Sequence, residues 1–347
     1  MPGLAWSDAQ ASAIVRDGFV ALLGREPDEE GLRFYVDHLI NGRLDINAFL
    51  QQLVASSEFS EKSAALGYTL ARDEVLTPYL ADPLVRDLSS RLATVDTTGL
   101  ESFDALVAGA LEEADTVTGQ RDYVMEHGVR FLELFHAARV LTSGVDRPRV
   151  LEFGGSVFSA LYKVLLPGCR LVMADRPAID GRPGFDEALC EKLAQPEAFV
   201  PVDLHADLQA PGISIDRHGP YDLVVFTEVL EHLTRHPVEI LQFLLKRLTF
   251  RGSLYLTTPN AFSHGKLNLI GKRRNPQQVF PRGDENWDAH YHSREYSMSE
   301  LVEFVKEARG RVRALYFSSC WDGPEDARHL AEHPDQRSTL VVVVSRQ

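Results

Sequence analysis

Cysteine is scarce in this chain. Cys169, Cys190 and Cys320 are the only three among 347 residues, and no two of them form a C-x-x-C pair. This usage is typical of a reducing compartment, and it argues against a disulfide framework or a zinc–thiolate site.

Long apolar runs are also missing, and the first residues do not show the pattern of a leader. No run approaches the roughly 20 apolar residues that a membrane-spanning helix requires. The first residues lack a basic region followed by an apolar stretch, so we expect no signal peptide. These absences predict a cytoplasmic protein without a membrane span.

Positive charge is in short supply. Lys and Arg total 36 against 50 Asp and Glu, which gives a formal net charge of −14. Such a chain is not expected to coat nucleic acid or an anionic membrane, so nucleic acid is a disfavoured partner. The hydrophobic content of 44% is ordinary for a globular protein. The length predicts about two domains.

Residues 1–65 predict three short helices. Ser7 is a suitable N-cap for the first helix. Asp28, Glu29 and Glu30 place negative charge in the first turn of the second helix, where it complements the helix dipole. The third helix is expected from about Ile46. These residues therefore predict a small, all-helical N-terminal domain.

This segment resembles a bacterial family, domain of unknown function 4214. The resemblance rests on residues 19–31, on Tyr35, where members usually have Trp, and on Leu39, Gly42-Arg43 and Ser57-Glu58-Phe59. Such domains accompany surface-layer, secreted and glycan-related proteins, and no catalytic residues are established for them. The resemblance implies a module for docking a protein partner or for self-association, or alternatively one that contacts glycans.

Residues 66–140 predict further helices and turns. Amphipathic patterns occur at about residues 103–111 and 123–135. We interpret this region as a helical connector, or as a lid over the mouth of the domain that follows.

From Arg149 onward, apolar strands alternate with helical segments. The predicted strands lie at residues 150–155, 170–175, 198–203, 221–226, 252–258, 311–317 and 338–344, and helices are predicted at 158–166, 187–193, 237–248 and 299–308. This alternation predicts an α/β domain, at residues 141–347, with a parallel sheet covered on both faces.

The most informative stretch is an apolar run at residues 221–226 that leads into Glu228, Glu231 and His232. The run is typical of a buried parallel strand. If a helix starts near Thr227, the three polar side chains share one helix face. Carboxylates and an imidazole at the carboxyl end of such a strand are typical of an active site in an open α/β sheet.

Six motifs stand in the order used by class I S-adenosylmethionine (SAM)-dependent methyltransferases, and they resemble most the type 11, 12 and 23 groups. The motifs are Leu151-Glu-Phe-Gly-Gly155, Asp175, Asp203, residues 221–233, Leu256-Thr-Thr-Pro-Asn260 and His292-Ser-Arg-Glu-Tyr-Ser297. The resemblance covers about residues 120–347. It implies a Rossmann-like sheet of seven strands, six of them parallel and the last antiparallel, and SAM as the cofactor.

The resemblance also implies which residues bind the methyl donor: Glu152, Gly154, Gly155, Asp175, Asp203 and Leu204. Glu152 is expected near the ammonium group, and Asp175 is expected to accept hydrogen bonds from the ribose hydroxyls. Asp203 and Leu204 are assigned to the adenine.

The glycine motif departs from the family pattern. Ser156 and Phe158 stand where the later glycines of the motif are found, so Phe158 could crowd the ligand. A degenerate domain that binds no donor is one alternative. A dinucleotide cofactor is disfavoured because the Gly-x-Gly-x-x-Gly fingerprint is absent.

Three interpretations of Glu228, Glu231 and His232 remain open. They order the loop around the cofactor, or Glu228 and His232 act with His292 in acid–base catalysis on an acceptor hydroxyl. In the third, Glu228, Glu231, His232 and His292 hold a divalent ion such as Mg²⁺ or Mn²⁺. They reproduce the Glu-x-x-Glu-His and His-x-x-Glu-aromatic pattern of small-RNA 3′-terminal 2′-O-methyltransferases, which hold such an ion.

The segment between Asn260 and Asp284 is basic, with Lys266, Lys272, Arg273, Arg274 and Arg282 and no acid. It is interpreted either as a solvated loop or as a substrate lid that meets an anionic group.

The function that these patterns favour is a SAM-dependent O-methyltransferase acting on a hydroxyl of a sugar or glycan-like acceptor. The sugar preference is an analogy with proteins that share the fold. Alternatives are an RNA 2′-O-methyltransferase, a small-molecule methyltransferase, and a non-catalytic scaffold with a vestigial methyltransferase fold.

Overall fold

A computed structural model describes residues 6–23, 25–54, 56–59, 74–94, 120–155, 157–176, 195–205, 208, 214–277 and 292–347. The helices predicted at 103–111 and 187–193 lie outside the described residues, as do Ser156, Cys190 and Arg282.

Three helices form the N-terminal region: α1 (Asp8–Leu23), α2 (Glu29–Ile40) and α3 (Ile46–Val54). The N-cap predicted at Ser7 is confirmed by reciprocal bonds, in which Ser7 N donates to Gln10 Oε1 at 3.1 Å and Gln10 N donates to Ser7 Oγ at 3.3 Å. Asp28 caps α2 by accepting a 2.7 Å bond from the backbone N–H of Gly31.

These helices enclose a small core of their own. The ring of Tyr35 meets Phe19 and Phe49 edge-on, at centroid distances of 5.8 and 4.9 Å. Gly18 allows α1 to approach α3, because a Cβ at that position would lie 2.7 Å from the ring of Phe49. The aromatic residues of the N-terminal segment therefore serve its own packing.

Two short helices, α4 (Thr77–Ala81) and α5 (Pro83–Ala93), and the long helix α6 (Gln120–Leu141) follow. Arg86 donates a 2.8 Å bond to the carbonyl of Leu22, which ties α5 to the N-terminal helices. Ser89 accepts a 3.0 Å bond from the backbone N–H of Leu315, which ties α5 to the sheet. The described parts of the predicted connector thus pack against both neighbours, and the domain limits at residues 65 and 140 stay predictions.

Seven strands form one sheet in the order β3-β2-β1-β4-β5-β7-β6. The strands are β1 (Arg149–Phe153), β2 (Arg170–Asp175), β3 (Ala198–Pro201), β4 (Tyr221–Thr227), β5 (Leu248–Pro259), β6 (Gly310–Ser318) and β7 (Thr339–Arg346). The first five pair in parallel, and β7 runs antiparallel to both β5 and β6. The predicted class I methyltransferase sheet is therefore confirmed.

The remaining helices are α7 (Tyr162–Leu165), α8 (Pro237–Leu245), α9 (His264–Gly271), α10 (Met298–Glu307) and α11 (Ala327–Glu332). The helix expected at 158–166 is shorter than predicted, because a 3₁₀ turn, Val157–Leu161, occupies its first part. Within the described residues, no helix combines the length and apolar character needed to cross a membrane.

Side chains of the central strands alternate between the two faces of the sheet. Leu151 and Val224 pack into the core on one face, and Val150 and Val225 into the core on the other. Because both faces are covered, β4 is apolar along its length. The chain leaves β1 toward β2 and leaves β4 toward β5, so the crevice between β1 and β4 is the topological switch point of the sheet.

Candidate active site

The turn after β1 requires glycine at its first position. Gly154 has a φ of +65°, and a Cβ added there would lie 2.9 Å from Val229 Cγ2. At Gly155 a Cβ would lie 2.3 Å from Met173 Cε, the flexible end of a side chain that can move aside. Gly154 therefore needs to be glycine for its conformation, as the predicted ligand-binding turn demands.

Phe158 does not crowd this turn, contrary to the concern raised by the sequence. Its ring stacks on Phe131 of α6 at a centroid distance of 3.7 Å. Phe158 is only 1% exposed and belongs to the core between α6 and the sheet. Phe158, which replaces a glycine of the family motif, therefore packs among aromatic residues beneath α6 and leaves the turn unobstructed.

Glu152, near the end of β1, is buried beside the glycine turn. Ser159 Oγ donates to its Oε2 at 2.5 Å, and the Tyr162 hydroxyl donates to its Oε1 at 3.5 Å. Burial raises the pKa of Glu152 to about 7, although those two bonds and the charge of Arg130 act in the opposite direction. A cationic ligand beside this carboxyl would favour its ionised form.

The neighbouring strand ends carry the other residues predicted to bind the donor. Asp175 ends β2, its Oδ1 accepts a 2.6 Å bond from the backbone N–H of Arg176, and burial raises its pKa. Asp203 accepts a 2.8 Å bond from the backbone N–H of His205, so it orders its own loop. Leu204 is 7% exposed and packs into the core. Their contacts to adenine stay predictions.

The end of β4 carries a residue in an unfavourable conformation. Glu228 has a φ of +54°, in the left-handed region that non-glycine residues seldom adopt. Its backbone N–H donates to the carbonyl of Thr257 at 3.0 Å, and Thr257 Oγ1 donates to its Oε1 at 2.7 Å. The indole of Trp321 also bonds to this carboxylate. Burial raises the pKa of Glu228.

The helix expected from Thr227 is absent, and that expectation was wrong. The left-handed residue Glu228 interrupts any helical path, and only a short 3₁₀ turn, Leu230–His232, follows it. The two carboxylates therefore do not share a helix face. Glu228 bonds to Thr257, whereas Glu231 bonds to Thr258.

The structure brings together three of the four predicted metal-binding residues. Glu231, His232 and His292 each offer a ligand atom within 4.8 Å of the others. Glu231 is 1% exposed, its Oε2 accepts a 2.9 Å bond from Thr258, and its Oε1 lies 3.8 Å from His232 Nε2. Burial, together with the charge of Glu228, raises the pKa of Glu231 well above its ordinary value.

Backbone contacts hold the loop of His292 against the turn of His232. The backbone N–H groups of Ser293 and Arg294 donate to the carbonyl of Glu231 at 2.6 and 3.2 Å. The hydroxyl of Ser293 donates to the carbonyl of His232 at 3.2 Å. As a result, the two imidazole rings meet edge-on at a centroid distance of 5.0 Å.

Glu295 belongs to the predicted motif at residues 292–297, but the sequence assigned it no role; in the structure it orients His292. Glu295 Oε1 lies 2.8 Å from His292 Nδ1, and its other oxygen pairs with Lys266, whose Nζ also donates to the carbonyl of Asn260 at 3.0 Å. Burial acts to raise the pKa of Glu295, but the bonds from His292 and Lys266 leave it lowered. The spacing of three residues between His292 and Glu295 was the available signal.

Helix α6 adds side chains that the sequence did not indicate. The guanidinium carbon of Arg130 lies 4.5 Å from the ring centroid of Phe131 and 5.4 Å from that of Trp321. The ring of His127 meets Trp321 at 4.4 Å. Trp321 follows β6 and bonds to Glu228, so α6 and the segment after β6 meet near the end of β4.

The basic segment reaches the site through one residue in its described part. Lys266, in α9, pairs with Glu295. Lys272, Arg273 and Arg274 follow the end of α9 and are exposed.

Comparison with known proteins bears on the two parts of the chain separately. Residues 7–63 match the family model described as "Domain of unknown function (DUF4214)", which confirms the resemblance predicted for the N-terminal segment. No curated protein matches the chain.

Similar solved structures are methyltransferases. A SAM-dependent methyltransferase from Archaeoglobus fulgidus shares 15% identity over 65% of this chain and 99% of that chain, with a TM-score of 0.40. A SAM-dependent methyltransferase from Mesorhizobium loti shares 15% identity over 60% of this chain and 96% of that chain, with a TM-score of 0.39. N-methyltransferase NodS from Bradyrhizobium japonicum WM9 shares 16% identity over 64% of this chain and 97% of that chain, with a TM-score of 0.37.

These TM-scores are low, so the class assignment rests on the order and direction of the strands. On that basis the chain carries the class I SAM-dependent methyltransferase fold.

Proposed function

We propose that this protein is a SAM-dependent O-methyltransferase that transfers a methyl group to a hydroxyl of a sugar or glycan-like acceptor. The observation that carries the proposal is the convergence of Glu231, His232 and His292 at the carboxyl edge of the sheet. This convergence supports the proposal, because it gives candidate bases at the edge of the sheet where ligands of this fold class bind.

The residues of the crevice fit SAM as the donor. Gly154 provides the turn that only glycine adopts comfortably, and Phe158 is packed away from it. Burial raises the pKa of Glu152 and of Asp175. The ammonium group of SAM would stabilise the ionised form of Glu152, and hydrogen bonds from the ribose hydroxyls would stabilise that of Asp175. When bound, SAM supplies an electrophilic methyl group on its sulfonium.

His292 is the leading candidate for the base. Glu295 engages Nδ1, so Nε2 is the nitrogen that takes the proton of the acceptor hydroxyl. The oxygen–carbon bond forms as the sulfur–carbon bond of the donor breaks. His232 is the second candidate, and Glu228 orders the cleft through its bond with Thr257.

The glycan preference is supported by two weaker features. The N-terminal segment matches a family found with glycan-related proteins, which is an argument by analogy. The exposed cations Lys272, Arg273 and Arg274 would suit an acceptor that carries a phosphate or a carboxylate. RNA and small-molecule acceptors stay alternatives, and the cytoplasmic location stays a prediction.

A metal-assisted form of the reaction is favoured by the same three residues. One carboxylate and two imidazoles within 4.8 Å suit Mn²⁺, with Mg²⁺ as an alternative where water completes the shell. An ion held there would lower the pKa of a coordinated hydroxyl. Glu228, the fourth predicted ligand, is outside this group and bonds to Thr257 instead.

Two experiments test the proposal. Calorimetry with SAM should show stoichiometric binding, and a flat titration would leave the scaffold alternative standing. Methyl-labelled SAM should then be supplied with a panel of sugars, uronates, short RNAs and phenols. Label in a sugar methyl ether supports the proposal, and label confined to another class of acceptor replaces it.

The role of His292 is tested with the acceptor that takes the label. His292→Ala should lower the transfer rate by about 10²- to 10⁴-fold while the affinity for SAM stays unchanged. His218→Ala, at the opposite edge of the sheet, is the matched control. EDTA treatment followed by Mn²⁺ addition decides the metal: activity that responds to neither treatment eliminates it.

A further inference from the structure

We propose that α9 and the residues at its two ends form a surface that docks on an anionic membrane. This α9 surface consists of Phe262, Ile270, Lys272, Arg273 and Arg274. The chain as a whole has a formal charge of −14, so it is not expected to coat such a membrane. A local surface that combines cations with exposed apolar side chains can still bind one at a single place.

The apolar residues of α9 are poorly covered by the rest of the protein. None of its eight residues, His264–Gly271, is buried. Phe262, which precedes the N-cap, is 54% exposed, and Ile270, in the last turn, is 49% exposed. A single exposed apolar residue is common on protein surfaces. Here two of them lie at the ends of a helix that rises only about 12 Å, so one surface contains both.

The cations of the α9 surface follow the helix directly. The backbone N–H of Arg273 donates to the carbonyl of Ile270 at 2.8 Å. The N–H of Arg274 donates to the carbonyl of Leu269, also at 2.8 Å, so the chain folds back over the last turn. Among the residues that the structure describes, no carboxylate forms an ion pair with Lys272, Arg273 or Arg274. Three consecutive positive charges therefore lie beside Ile270.

Arg273 occupies a position that favours glycine. Its φ is +57°, in the left-handed region, and it follows the C-cap of a helix, where glycine is the usual residue. An arginine at this position costs conformational free energy and adds a third cation to the cluster. The folding of α9 does not account for that charge, whereas an anionic partner does.

The fourth cation in the described part of this segment is used within the protein. Lys266 pairs with Glu295, and Glu295 Oε1 lies 2.8 Å from His292 Nδ1. One helical turn separates Lys266 from Ile270, so the α9 surface adjoins the candidate active site. This position suits an acceptor that is attached to a lipid, a consequence that rests on the proposed function.

A membrane fits this surface better than a soluble anion does. A free phosphate could pair with the cations, but it would leave Phe262 and Ile270 in water. At the interface of a bilayer, cations meet the phosphates of the headgroups while apolar side chains enter the layer beneath them. The α9 surface offers a partner to both layers.

The test is co-sedimentation of the full chain with lipid vesicles. Phosphatidylcholine vesicles that contain about a third phosphatidylglycerol should bind the protein, and salt should weaken this binding. Vesicles of phosphatidylcholine alone should bind it far less. Arg273→Gly should lower the affinity for the anionic vesicles about fivefold, as expected for loss of one cation at such a surface. Because its φ suits glycine, the variant should be at least as stable as wild-type protein in a urea titration.

Arg309→Gly is the matched control, because Arg309 is also exposed and also has a left-handed φ, of +59°, at the turn before β6. It should leave the affinity for the vesicles unchanged. Ile270→Ser removes no charge, and it should lower the affinity about tenfold through loss of an apolar contact with the bilayer. Glycerol phosphate in solution should not displace the protein from the vesicles.

The outcomes separate this inference from the proposed function. The docking surface is overturned if anionic vesicles do not bind wild-type protein, if they bind Arg273→Gly equally well, or if Arg309→Gly weakens binding to the same extent. Displacement by glycerol phosphate would also overturn it, because the cations would then bind a soluble anion. The proposed function stands in each of these cases. If the vesicles bind as expected but the protein does not bind SAM, the docking surface stands and the proposed function fails.

Discussion

The two edges of the central sheet carry similar residue types in opposite electrostatic settings. At the carboxyl edge, Glu152 and Glu231 are buried, and burial raises their pKa. At the amino edge, Glu197 accepts two bonds from Arg170, at 2.6 and 2.5 Å, and this pairing lowers its pKa. The amino edge thus satisfies its own charges, whereas the carboxyl edge holds acids that burial disfavours.

A cavity lies at the amino edge of the sheet. It has a volume of about 980 Å³, and Arg149, Arg170, Glu197 and Asp222 are among the residues that line it. Asp222 accepts bonds from the backbone N–H of Arg149 at 3.0 Å and from Thr249 Oγ1 at 3.2 Å. Because Glu197 and Asp222 already accept hydrogen bonds within the protein, the size of this cavity alone does not make it a ligand site.

The comparison shows where a cationic ligand would gain most. An ionised carboxyl costs free energy when it is buried, and an opposite charge brought close to it recovers part of that cost. The buried acids of the carboxyl edge therefore lower the stability of the free protein, and a bound sulfonium and ammonium group would raise it again. Active-site residues commonly lower protein stability in this way.

The largest expected effect comes from Asp175→Ala at the carboxyl edge. Loss of two hydrogen bonds from ribose hydroxyls to a carboxylate should weaken S-adenosylhomocysteine binding by about 10²- to 10⁴-fold, measured by calorimetry. Asp222→Ala, at the amino edge, should leave the affinity unchanged. If Asp175→Ala keeps its affinity, Asp175 does not bind the ribose, and the carboxyl edge differs less from the amino edge than we infer.

Much of this contrast could be predicted from the sequence. Continuous apolar runs predict buried parallel strands, and parallel strands bring their carboxyl ends to one edge, so the meeting of Glu231, His232 and His292 follows from the order of the motifs. Asp175 and Glu152 are placed by the same reasoning.

Other parts of the site depend on packing that has no signature in the sequence. Glu228 adopts a left-handed conformation because its backbone bonds to Thr257 on the next strand. Arg130 of α6 and Trp321, which follows β6, meet although they are distant in the chain. Helical periodicity predicts that α6 exists, but it does not predict the crevice that α6 covers.

The second prediction concerns the stability of the free protein. Glu152→Gln should stabilise the fold at pH 8, because the amide can keep the contacts with Ser159 and Tyr162 without a buried charge. The folded protein holds a proton on Glu152 up to about pH 7, against 4.5 for the ordinary group, so stability falls as pH rises through this window.

The expected gain from Glu152→Gln is at most about 3 kcal/mol at pH 8, and it should vanish near pH 4. Urea titrations at the two pH values measure it. If the variant is equally destabilised at both pH values, the charge of Glu152 is already stabilised by its surroundings in the folded protein. The two edges of the sheet would then not differ in how they treat their acids.

The third prediction concerns the pH dependence of donor binding. Glu152 must ionise to pair with an ammonium group, so the affinity for S-adenosylhomocysteine should rise about tenfold per pH unit up to about pH 7 and then level off. Glu152→Gln should abolish this slope. Glu133→Gln is the control and should leave the slope unchanged. Burial also raises the pKa of Glu133 to about 7, but its carboxyl bonds to Ser318.

The smallest effect, of opposite sign, is expected from Glu197→Gln at the amino edge. Because Arg170 lowers the pKa of Glu197, the ionised pair contributes stability above the ordinary pKa of the acid and loses it as pH falls through the lowered value. The variant should therefore lower the urea midpoint slightly at pH 8 and leave it unchanged at low pH. Both groups are partly exposed, and solvent screening keeps the change below that for Glu152→Gln. If Glu152→Gln and Glu197→Gln change the stability at pH 8 in the same direction, the two edges differ in exposure alone and not in the pairing of their charges.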